Sequence, residues 1–154
     1  MSWDSIFVLT NVVAVAGWAM LLFLPRRPAT HAFILFACVG LLCLAYLIMF
    51  GGLVGGWLDP ARVAGAAPPN LLDYSVDGIR GLFMSDGGVV LGWTHYLAFD
   101  LFVGLWIGRD ADAKGFSRLM QMPFLLGTFL AGPIGLLLWL LMRERRARRT
   151  VRAG

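Results

Sequence analysis

Charge is scarce in this chain. Only 14% of its 154 residues are Asp, Glu, Lys or Arg, against 59% hydrophobic ones, and the mean hydropathy of +0.76 is far above that of a soluble domain of this length. A water-soluble fold is excluded. Histidine and cysteine are rare too, with two of each. A zinc centre normally takes three or four close ligands, and no such cluster is written here. His31 and His95 fall near opposite faces of a membrane, about 20 Å apart in depth, so they cannot share one iron. Neither a metal nor another cofactor is expected. Cys38 and Cys43 sit five residues apart in one apolar run and diverge by about 140° around a helix. No mutual disulfide is expected, and both read as small apolar fillers. The first apolar run lacks a basic n-region, carrying Asp4 instead, and no A-x-A-like site precedes Pro25; it is read as retained, not as a cleaved signal. Repeats and low-complexity segments are absent as well.

What the chain has is four apolar runs, residues 5–24, 31–54, 88–108 and 122–142. Each is long enough for a ~30 Å hydrocarbon layer, which takes roughly 20 helical residues. The expected fold is all-α: a single membrane domain over residues 1–154, a four-helix transmembrane bundle with a short interfacial or re-entrant helix between spans 2 and 3. Pro25-Arg26-Arg27-Pro28 separates the first two runs as a tight hairpin, because proline breaks the internal hydrogen-bond ladder. Gly-Gly pairs, Asp59-Pro60 and Pro68-Pro69 mark residues 55–87 as the one long loop. Inside it, Leu71 to Met84 mixes apolar and polar residues as an interfacial helix does, with Asp77 and Arg80 spaced to pair; a solvated loop is the competing reading.

The tail, residues 143–154, carries Arg143, Arg145, Arg146, Arg148, Arg149 and Arg152. Directly behind an apolar helix such a run contacts anionic lipid headgroups, not nucleic acid. Four crossings would place eight Lys and Arg on the terminal side and five opposite, which favours cytoplasmic termini. Asp4 before the first span and Arg26-Arg27 after it argue the reverse.

Polar residues inside the spans are the candidates for function. Counted at about 1.5 Å per residue, Asn11, Tyr46 and His95 fall at one level, about 10 Å below the terminal face, with Asp100 deeper near the midplane. Ionisable groups at such depths are costly and normally face the bundle interior. The alternative reading is that Asn11, Tyr46 and His95 only hydrogen-bond helices together. Trp93, Tyr96 and Asp100 share a helix face from which His95 turns away by about 140°, so a direct His-Asp dyad is disfavoured. In the fourth run, Gly127, Thr128, Gly132, Pro133 and Gly135 read as a packed kink, or as a kink that widens the interior for a ligand.

The run Gly92-Trp93-Thr94-His95-Tyr96-Leu97-Ala98-Phe99-Asp100-Leu101-Phe102, followed by Gly132-Pro133-Ile134-Gly135-Leu136-Leu137, resembles the abscisic-acid-deficient-4-like family of small membrane proteins. The shared patterns are W-x-H-x-x-x-x-D-L-F in one helix and a small residue with P-I-G-x-L in the next. Weaker similarity extends over the first two spans, including Trp18 and Pro25. Plant members are associated with neoxanthin synthesis, so the resemblance implies opening of a carotenoid 5,6-epoxide to an allene without net redox change. That chemistry needs a proton donor and a proton acceptor in an apolar slot. Asp100 is then the candidate acid and His95 the candidate base or positioning group. The chain lacks the plant members' longer N-terminal extension, so a bacterial cytoplasmic membrane is the expected location, and the plant substrate is not transferred.

Two functions from different classes follow. One is a cofactor-independent carotenoid isomerase with His95 and Asp100 as catalytic residues and Asn11, Tyr46, Trp93, Tyr96, Thr128 and Pro133 as substrate-binding ones. The other is a non-catalytic subunit that holds carotenoid, lipid or quinone, or joins a homo-oligomer or larger membrane complex. A small transporter using Asp100 is less favoured, with only four spans per chain.

Overall fold

The computed structural model describes residues 2–66 and 73–152, with 145–152 described by backbone alone. Among the described residues the protein is all-α, without strands. Helix α1 (Trp3–Phe23) is followed by α2 (Pro28–Phe33), which continues through a π-helical stretch (Ile34–Val39) into α3 (Gly40–Val54). Then come α4 (Val76–Leu82), α5 (Asp86–Ala113) and α6 (Arg118–Arg152). Four segments are long and apolar enough to cross a membrane, Trp3–Phe23, Pro28–Val54, Asp86–Ala113 and Arg118–Glu144. Each begins two to four residues before the apolar run that predicts it. Polar first turns explain the difference: Pro28 opens α2, where a missing N–H costs little, and Ser85 Oγ caps α5 by accepting from the Gly88 N–H at 3.1 Å. The π-helical stretch shifts the side-chain register that follows it; no proline or glycine in its sequence, ILFACV, marks it in advance.

The chain packs as two compact units, Met1–Ala14 with Gly40–Ala98, and Val15–Val39 with Phe99–Gly154. In the first unit the connection after α3 is pinned at both ends. The Trp3 indole N–H donates to the Asp59 carbonyl at 2.9 Å, and the Asp59 carboxylate accepts from the Ala61 N–H at 2.9 Å. Arg62 and Ser85 then form an isolated antiparallel bridge, flanked by Val63 N–H to Met84 O at 3.0 Å and Gly87 N–H to Pro60 O at 3.0 Å. The short helix expected within Leu71–Met84 is α4, capped by Ser75, whose Oγ accepts from the Gly78 N–H. Residues 71 and 72 of that prediction lie outside the described residues. The Ser75 hydroxyl and N–H hold the Asp73 carboxyl below its ordinary range. Asp77 and Arg80 do pair, on an exposed face where such a pair contributes little. Both cysteines are free.

In the second unit α1 and α5 approach closely: a β-carbon on Gly104 would strike the Trp18 ring, which is itself buried. Helix α6 is not one rod. Ala131 (φ −154°, ψ 51°) and Gly132 (φ 3°, ψ −77°) leave the helical region, and the second half folds back along the first. Continuous helix would put Phe124 and Trp139 about 22 Å apart. Their ring centroids lie 5.5 Å apart, and Trp139 meets Phe116 edge-on at 5.0 Å. A β-carbon on Gly127 would lie 3.3 Å from the Gly135 Cα, and one on Gly135 would collide with Thr128. The expected kink is therefore a reversal. Gly-Pro-Ile-Gly builds it chemically: Gly132 permits the turn, Pro133 opens the returning half, and Gly135 lets two backbones touch.

Polar side chains tie the other end of this unit. The Arg26 side chain, 7% exposed, donates to Asp112 at 2.8 Å and to the side-chain amide oxygen of Gln121. Gln121, fully buried, donates in turn to Asp112 and to the Phe116 carbonyl, both at 2.9 Å. Arg118 donates to the Leu22 and Leu24 carbonyls at 3.0 and 2.7 Å, satisfying acceptors that the end of α1 leaves open. Asp110 accepts from Lys114 at 2.5 Å, from the Trp139 indole N–H at 3.0 Å and from an Arg143 terminal N–H at 3.2 Å. The Arg143 guanidinium also lies 5.5 Å over the Trp106 ring.

Candidate functional site

The first unit holds a cleft of about 700 Å³. Helix α3 contributes Tyr46, Phe50 and Leu53, and α5 contributes Gly88, Leu91, Gly92 and His95; Leu82 and Phe83 at the end of α4 close one wall. Asp59, Arg62 and Ser85 supply polar groups from the connecting segments. Its size falls within the ~300–1,000 Å³ typical of small-molecule sites, and mostly apolar walls with a few placed polar groups match their usual chemistry.

His95 is exposed and lines this cleft. Its imidazole lies 5.7 Å from the Tyr46 ring, and Tyr46 stacks on Phe50 at 6.0 Å with planes 9° apart. Stacked rings four residues apart on α3 thus form a flat apolar wall that leads to an imidazole.

Asn11, Trp93 and Tyr96 form a second group in the same unit. Asn11 donates its amide to the Phe7 carbonyl at 2.7 Å and accepts from the Trp93 indole N–H at 3.2 Å. Trp93 stacks on Tyr96 at 5.3 Å and meets Phe7 at 5.9 Å. None of these three lines the cleft. The angular spacing on α5 explains this division, since His95 looks away from the face that Trp93 and Tyr96 share.

The remaining predicted residues belong to the second unit. Asp100 is buried, 9% exposed, with its carboxyl against Gly132 at the α6 reversal, so that a β-carbon on Gly132 would fall on it. The returning half of α6 begins beside that carboxyl. Thr128 is fully buried and donates its hydroxyl to the Phe124 carbonyl at 2.9 Å, within its own helix. Pro133 is exposed at the start of the returning half. Among the described residues no group of three or more His, Cys, Asp or Glu is placed to hold a metal ion.

Several residues acquire their roles only in the folded chain. Phe50, Leu91 and Phe83 in the cleft are ordinary apolar residues with nothing to mark them. Asp59 and Arg62 sit in a stretch that reads as irregular loop. Asp110 and Arg143 carried a faint signal, being charges at the edges of apolar runs, but their pairing depends on the reversal between them.

No curated protein and no solved structure gives a significant match to the chain. The ABA DEFICIENT 4-like family model matches residues 5–139, a stretch that takes in the cleft, the W-x-H-x-x-x-x-D-L-F run and the Gly-Pro-Ile-Gly reversal, and the chain belongs to that family.

Proposed function

We propose that this integral membrane protein takes an elongated terpenoid of the carotenoid type into the cleft of its first unit and isomerises it there. Membership of the family supports a carotenoid-related membrane protein; the observation that carries the finer reading is His95 on the wall of an apolar cleft of about 700 Å³. The imidazole there takes a proton from the carbon chain as the neighbouring epoxide C–O bond breaks. The imidazolium then returns that proton to the alkoxide oxygen, and the product is an allenic alcohol of unchanged composition. One group thus serves as base and then as acid, with no oxidant or reductant consumed. Tyr46 and Phe50 supply the surface along which a flat polyene lies. Asp100, which does not line the cleft, is assigned to the α6 reversal in this reading.

Expression of the parent and of His95→Ala in cells that accumulate epoxy-carotenoids tests the proposal. The parent converts an epoxide to an isomer of identical mass, and the variant leaves it unconverted. An unchanged pigment profile with the parent would refute the chemistry. A non-catalytic holder of carotenoid is the second reading, and one observation favours it: among the described residues lining the cleft, Asp59 is the only carboxylate.

A further inference from the structure

The reversal of α6 has a consequence for how the chain sits in a membrane. From Arg118 to Leu130 the outgoing half has 13 residues, about 20 Å of helix, well short of a ~30 Å hydrocarbon layer. The returning half brings Trp139 back beside Phe116 and Arg143 back to Asp110. The outgoing half therefore begins, and the returning half finishes, at the same end of the second unit. Non-helical backbone at membrane depth is tolerated where protein encloses it, and Gly132 at the tip is buried against Asp100.

Counting charges along a chain with three crossings and one such hairpin changes the distribution. Arg26 and Arg27 follow the first crossing. Arg109, Lys114 and Arg118 follow the third, and the six arginines from Arg143 onward follow the hairpin on that same side. That is eleven of the thirteen Lys and Arg; only Arg62 and Arg80 stay with the opposite side. The acidic residues run the other way, with Asp4, Asp59, Asp73, Asp77 and Asp86 opposite. Four full crossings leave eight against five, with Asp4 and Arg26-Arg27 in conflict with the majority. The hairpin removes that conflict. Some of the eleven are committed within the protein, Arg26 to Asp112 and Gln121, Lys114 and Arg143 to Asp110; Arg27 and Arg109 are exposed.

We propose that the fourth apolar run enters and leaves the membrane on one side, and that the basic end it completes docks on anionic headgroups of the cytoplasmic leaflet, with the N-terminus on the opposite side. The full chain, expressed in a bacterial cytoplasmic membrane, is tested with reporters fused at either terminus: a fluorescent protein that matures only in the cytoplasm and a phosphatase active only outside it. Fluorescence at the C-terminus with phosphatase activity at the N-terminus is expected. Both termini on one side would overturn the hairpin, and the inverse arrangement would overturn the orientation. Docking is read separately, by the association of spin-labelled phosphatidylglycerol and phosphatidylcholine with the purified protein in mixed vesicles. A preference of at least about threefold for the anionic lipid is expected at low salt, falling as salt rises. Equal association of the two lipids would overturn docking.

Discussion

The Asp100 carboxyl occupies the space that a β-carbon on Gly132 would need. Thirty-two residues apart in sequence, they meet where α6 turns back on itself, so the buried acid and the reversal depend on each other. Gly132→Ala is expected to lower thermal stability in detergent by about 1–3 kcal/mol, the usual cost of overpacking. Asp100→Ala removes the obstruction, and a double-mutant cycle should return a favourable coupling of at least about 1 kcal/mol. Additive effects would mean that the two residues do not share that space.

The hairpin predicts a distance. Leu119 and Leu141 are exposed, at 81% and 53%, and continuous helix would separate their backbones by about 33 Å. Spin labels at Leu119→Cys and Leu141→Cys, in a background with Cys38→Ala and Cys43→Ser, should give a pulsed-EPR distance below about 20 Å, because both positions lie near the end of the unit where α6 starts and finishes. A distribution centred near the continuous-helix value would rule the reversal out.

How much of this was legible beforehand divides along a physical line. The four apolar runs, the short helix before α5 and the Asp77–Arg80 pair are local features, set by composition and i, i+3 spacing, and they were readable. So was the divergence of His95 from Trp93 and Tyr96, which follows from helical rotation alone. The reversal was not. Hydropathy measures how long an apolar run is and says nothing of its direction, so Gly132-Pro133 read as a kink. The Asp110–Trp139 contact spans 29 residues and exists only because the chain turns between them. The cleft was hidden for a similar reason: Phe50 and Leu91 acquire a role only when α3 and α5 are placed side by side.

Asp110 predicts an asymmetric mutational response. Its replacement by alanine leaves the Trp139 indole N–H, in a fully buried residue, without its acceptor, and separates Arg143 from its counter-ion. A loss of about 1–3 kcal/mol is expected in thermal or denaturant unfolding. Lys114→Ala removes a partner that is one-third exposed and should cost less than about 1 kcal/mol. Equal losses would show that the lysine, and not the tryptophan, dominates the cluster.

In the cleft, chemistry and binding should separate. His95→Ala is expected to lower conversion of an epoxy-carotenoid by about 100-fold or more while pigment still co-purifies. Tyr46→Phe keeps the stacking on Phe50 and should leave binding within about twofold of the parent. Loss of pigment from His95→Ala together with activity would assign the imidazole to binding instead.

Whether the cleft holds a guest at all is answered by purifying the protein from carotenoid-producing cells and measuring bound pigment per chain by absorbance and mass spectrometry, for the parent and for Leu91→Trp, which fills the cleft. The parent should carry near-stoichiometric pigment and the variant at least about tenfold less. A folded parent without pigment, or a variant that carries as much as the parent, would contradict the assignment.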